Sequence, residues 1–95
     1  MIYELVDEHE QAQLLETLDG WAIEDGRLVG AYRFADFKQA LAFTVQVGCL
    51  AEQLNHHPDL TLSWGRVGIS LWTHDKGALT RHDFRLAARI DGLKR

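Results

Sequence analysis

Apolar positions recur along this chain with two different periods, and each change of period marks an element. In residues 7–20, DEHEQAQLLETLDG, Leu14, Leu15 and Leu18 give one apolar side of a short helix. Asp7 is its expected N-cap with Glu10 at the capping-box position, and Gly20 its expected end. The period drops to two in residues 21–34, WAIEDGRLVGAYRF. Trp21 and Ile23 alternate before Asp25-Gly26, a strong hairpin-turn signal, and Leu28, Gly30, Tyr32 and Phe34 share a face after it.

The helical period returns in residues 35–55, with Asp36 and Gln39 as a second capping pair. Phe37, Leu41, Thr44, Val45 and Gly48 form one track, and Phe43, Val47, Leu50 and Leu54 a neighbouring one. Two apolar tracks predict a helix with core on one side and a subunit contact on another. Asn55 and Pro58 bound it. Two more alternating runs follow, DLTLSW and RVGISLWTH, with Gly65 as a turn or bulge between them. Val67, Ile69 and Leu71 point one way, and Ser70, Trp72 and His74 the other. Trp64 and Trp72 are read as sheet residues. The last helix has Thr80 as N-cap, Phe84, Leu86, Ala87 and Ile90 on its apolar side, and Gly92 at its end.

The order is α-β-β-α-β-β-α: an α+β, two-layer domain with a four-stranded antiparallel sheet and helices on one face. At 95 residues the expectation is one domain, residues 1–95. A core this small makes oligomerisation a natural supplement.

Composition narrows the function classes. A net charge of −4 argues against a direct nucleic-acid binder. No apolar run reaches membrane-spanning length, and the start MIYELVDEHEQ lacks the basic and apolar regions of a signal peptide. The single cysteine, Cys49, allows no intramolecular disulfide and is expected in the core. A cytoplasmic setting fits these features.

The chemistry concentrates in histidines. Glu52 and His56 stand four apart at the end of the long helix, a spacing that puts carboxylate and imidazole on one face. His57 follows directly, held extended by Pro58, and His74 ends a strand. If the strands between form a hairpin, all three histidines meet at one end of the sheet. Imidazoles titrate near neutrality and suit general acid–base work. A three-histidine zinc site is the alternative, but adjacent histidines before a proline point poorly at one ion. His9 and His82 are read as surface residues, and Asp83 as a first-turn carboxylate of the last helix.

The run Glu52-x₃-His56-His57-Pro58-x₅-Trp64-x₉-His74-x₈-Asp83 resembles the signature of the pterin-4a-carbinolamine dehydratases. GW and FADFKQALAFTVQVGCLAEQL resemble the family's earlier segments and THDKGALTRHDFRLAARID its C-terminal half, so nearly the whole chain is covered. The resemblance implies dehydration of a 4a-hydroxytetrahydropterin to quinonoid dihydropterin, in the recycling of an aromatic amino-acid hydroxylase's pterin. It implies no metal or organic cofactor. It implies a homodimer or homotetramer, and three catalytic histidines: His56 and His74 as an acid–base pair, in either order, with His57 orienting the pterin and sharing in proton transfer. Glu52 would tune His56, Asp83 would support the site, and Asn55, Pro58, Thr73 and Asp75 would bind substrate. Leu60 and Trp72 depart from the family pattern: relatives often carry Trp at the first position and a small polar residue at the second. Relatives of this fold also act as coactivators or assembly chaperones, which makes a non-catalytic interaction protein the alternative.

Overall fold

A computed structural model describes residues 5–95. Residues 1–4, where the reading of the N-terminus begins, lie outside them. The elements are α1 (Glu8–Leu15), β1 (Trp21–Glu24), β2 (Arg27–Arg33), α2 (Phe37–Gln53), β3 (Asp59–Ser63), β4 (Arg66–Leu71) and α3 (Arg81–Asp91). This is the expected order. The sheet runs β1-β2-β4-β3, every neighbour antiparallel.

Local signals act as read. Asp7 accepts from the Glu10 amide at 2.8 Å, and Asp36 from the Gln39 amide at 2.8 Å. Asp25 and Gly26 both take left-handed backbone, φ 52° and 74°, as a tight two-residue hairpin turn demands. Gly30 faces Trp21 across the hairpin, and a Cβ there would stand 2.7 Å from the indole. The end of the first helix differs from expectation. α1 ends at Leu15, short of Gly20, because the Thr17 hydroxyl donates to the Leu14 carbonyl at 2.6 Å and turns the chain out of the helix.

The alternation on β4 decides where the core sits. Val67, Ile69 and Leu71 are buried with Leu28 and Tyr32 of β2, beneath Ala40, Phe43, Val47 and Ala51 of α2 and Phe84, Leu86, Ala87 and Ile90 of α3. The opposite flank of α2 leaves Phe37, Leu41 and Val45 exposed, so the helix does carry two apolar tracks and one of them is bare. Cys49 lies on that bare side, not in the core: it is four residues past Val45, one turn along the same stripe. The tryptophans also differ from expectation. β3 ends at Ser63 and β4 at Leu71, so Trp64 sits in the turn, 69% exposed, and Trp72 just past the sheet.

At the end of α3 the Asp91 carboxylate accepts from the Trp21 indole at 3.0 Å, from the Asp19 amide at 3.0 Å and from the Tyr32 phenol. Burial pushes the Tyr32 phenol well above its ordinary range, and its bond to Asp91 adds to this. Among the described residues, no helix is long and apolar enough to cross a membrane.

Candidate active site

The end of α2 sets the site. Leu54 is the C-cap, and Asn55 turns left-handed at φ 51°. The Asn55 amide donates to the Glu52 carbonyl at 3.1 Å and the His56 amide to the Ala51 carbonyl at 3.0 Å. These two bonds are the paired closure of a Schellman motif, with Asn in the place usually taken by Gly. The reversal breaks helical spacing. His56 turns inward, 7% exposed, while His57 stays outside and bonds Glu52 Oε1 through Nε2 at 2.7 Å. The expected pairing is thereby corrected: Glu52 holds His57, not His56. The i, i+4 rule assumes a helix that continues through residue 56, and this one stops at Gln53.

The partner of His56 is Asp83, the fully buried third residue of α3. His56 Nε2 meets Asp83 Oδ1. The other oxygen, Oδ2, accepts from the Thr73 hydroxyl at 2.9 Å and from the Thr80 amide at 2.9 Å. The Thr80 hydroxyl lies 2.7 Å from that of Thr73 and supports it from behind. One carboxylate therefore closes the α3 capping box and holds the imidazole that follows the end of α2, 27 residues away. The capping role read from sequence is real but accounts for only part of it.

His82 is the second correction. It is 1% exposed rather than on the surface. Its position, four before Leu86 and eight before Ile90, is the buried stripe of α3, a signal present in the sequence. Its Nε2 reaches the Leu54 carbonyl at 3.1 Å, a free carbonyl of the α2 terminus, and its ring packs edge-on against His56 at 4.3 Å. Burial lowers the His82 pKa from the usual 6.5, with the neighbouring His56 adding to the effect.

His74 arrives from the loop after β4. Thr73 is buried and points to Asp83, so the next side chain faces out. The loop closes through the Thr73 amide to the Ala78 carbonyl at 3.0 Å and turns at Gly77, φ 61°. A cavity of about 360 Å³ results, lined by Asn55, His56, His57, Thr73, His74, Asp75 and Lys76. That volume lies within the range of roughly 300–1,000 Å³ usual for small-molecule sites. A hollow of about 400 Å³ lies on the helix-free face of the sheet and contains no histidine.

Six of the expected site residues thus meet in one cavity. Asp83 stands behind it and Glu52 reaches it through His57, while Pro58 is not part of the lining. Lys76, Thr80 and His82 join the constellation without having been singled out for it. Among the described residues, no group of three His, Cys, Asp or Glu side chains could hold a metal ion.

Comparison with known proteins follows the same lines. Residues 4–93 match the family model described as pterin 4 alpha carbinolamine dehydratase. A Vibrio cholerae protein named "Putative pterin-4-alpha-carbinolamine dehydratase" is 49% identical, over 88% of this chain and 81% of that protein. A Chloroflexus aurantiacus protein of the same name is 43% identical, over 93% and 95%. Among solved structures, a transcriptional coactivator/pterin dehydratase from Brucella melitensis superimposes with a TM-score of 0.89 at 31% identity, covering 94% of this chain and 97% of that one. A pterin dehydratase-like RuBisCO assembly factor of the alpha-carboxysome shares the fold, with a TM-score of 0.67 at 22% identity, over 80% and 90%.

Proposed function

This chain belongs to the pterin 4 alpha carbinolamine dehydratase family, and on that premise we propose that it is a hydro-lyase that dehydrates 4a-hydroxytetrahydropterins. One observation carries the reading: His56, backed by a buried carboxylate, shares a cavity with His57 and His74.

The reaction breaks the C4a–O bond and forms a C4a=N5 double bond. The leaving hydroxyl takes a proton and departs as water, and N5 loses its proton. Two imidazoles in opposite protonation states supply both transfers, and each turnover returns the pair to its starting protons through solvent. Asp83 fixes the His56 ring by its Nε2, leaving Nδ1 as the nitrogen for proton transfer. His57, held by Glu52, and the Asn55, Thr73 and Asp75 groups orient the pterin. The bare stripe of Phe37, Leu41 and Val45 supports a further contact with a second copy of the chain, or with the partner of a coactivator-like relative.

The test is the rate of dehydration of enzymatically generated 4a-hydroxytetrahydropterin above the spontaneous rate, for wild type, His56→Ala and His74→Ala. We expect acceleration by wild type and loss of most of it in either variant while both remain folded. A wild-type rate equal to the blank would remove the enzymatic reading and leave the interaction role.

A further inference from the structure

The His74 ring makes no hydrogen bond to the protein among the described residues, yet it has a defined place. It lies on the Trp72 indole, ring centres 4.3 Å apart and planes within 23°. The same indole carries the Arg27 guanidinium, 3.7 Å from its ring centre. Arg27 is in turn tied to Asp59, 3.6 Å away on β3. Arg27 precedes Leu28, and Trp72 follows Leu71, its cross-strand partner, so the sheet register itself brings guanidinium and indole together. Asp59 faces Ser70 on the other side of β4. Three strands thus converge on one indole.

We propose that Trp72 is a positioning residue for His74, held from behind by Arg27 and Asp59. This deepens the proposed function and rests on it. A histidine on an exposed loop loses rotamer freedom when it is ordered, and no hydrogen bond repays that here. Stacking on a large flat ring does, and an aromatic face attracts the imidazolium as well as the neutral ring. The indole is not a platform for the substrate, because its surface already carries an imidazole and a guanidinium. Trp72 therefore acts on the proton-transfer group rather than on pterin choice.

The experiment combines kinetics with a readout that needs no substrate. Kinetics of wild type, Trp72→Phe and Trp72→Leu should show kcat lowered about 10-fold in the leucine variant, KM changed less than about twofold, and most of kcat restored by phenylalanine. A rise in KM with kcat kept would make the indole a substrate surface and overturn the proposal. Tryptophan emission between pH 5 and 8 reads the stack directly, since a protonated imidazole quenches a stacked indole more than a neutral one. A pH-dependent component should be present in wild type and missing in both Trp72→Phe and His74→Gln. Its absence in wild type overturns the proposal, as does its survival in His74→Gln. An inactive wild type would defeat the proposed function alone, with the emission titration still deciding the stack.

Discussion

Replacing Asp83 by asparagine changes one atom and tests the central pair. The carboxylate accepts three bonds, from His56 Nε2, the Thr73 hydroxyl and the Thr80 amide. An asparagine has one acceptor oxygen and an NH₂ group. If the NH₂ faces Thr73 and Thr80, it opposes an amide donor that cannot accept. If it faces His56, the imidazole must take the tautomer protonated at Nδ1, which reverses its role toward the cavity. Either way a buried group is mispaired, and each bond to a buried charge is worth about 1.5–3 kcal/mol. We expect a stability loss of about 3 kcal/mol, which lowers Tm by roughly 12–24 °C in a domain of this size. The activity loss should be larger than stability explains. An Asp-to-Asn change behind a catalytic histidine costs up to about 10⁴-fold where the tautomer is reversed, so a fall of at least about 100-fold is expected here. The assay is the dehydration rate above the blank at a temperature where circular dichroism shows the variant folded, with urea unfolding for stability. A folded Asp83→Asn enzyme running at the wild-type rate would refute the role of the pair.

Three further outcomes follow from the same geometry. Because burial depresses the His82 pKa, the unfolded chain binds the extra proton first; the neutral ring's contribution is complete above about pH 6.5 and is lost as pH falls below it. The urea midpoint should therefore drop from pH 7.5 to 5.5, and less so in His82→Asn; equal slopes would reject the assignment. Asn55→Gly should leave stability within about 0.5 kcal/mol, whereas Asn55→Val should cost more than about 1 kcal/mol, since only the latter strains the left-handed turn; thermal unfolding of the pair decides. Gly30→Ala places a Cβ against the Trp21 indole and should cost about 1–3 kcal/mol, with Trp21 emission shifting as its bond to Asp91 is disturbed; unchanged emission and Tm would show that the hairpin yields instead.

Much of this was legible in the sequence because it is locally encoded. The caps Asp7, Asp36 and Thr80, the Asp25-Gly26 turn and the two periods each act within a few residues, and they deliver the whole element order. The convergence of the histidines was also legible, since a hairpin returns residue 74 toward residue 56. The misreadings share a cause. Pairing Glu52 with His56 extends helical geometry three residues past its end, and Asn55, a residue able to turn left-handed, is the warning in the sequence. The expectations for His82 and Cys49 rest on the habits of their residue types. In each case the stripe they occupy, Leu86 and Ile90 for one and Val45 for the other, was the better guide. The tie from Asp83 to His56 spans 27 residues and two elements, and spacing alone does not encode it.

That tie bears on how such chains can drift. A lineage that abandons catalysis is free to change His57 and His74, which are exposed and bear on no part of the buried core. It is not equally free to change Asp83, which starts α3 and anchors Thr73 and Thr80 whether or not any chemistry takes place. An inactive descendant should therefore keep the aspartate long after it has lost the exposed histidines. When kin of this chain are sorted into working enzymes and retired ones, a retained aspartate is weak testimony, and the imidazole on the loop after β4 is the witness to ask.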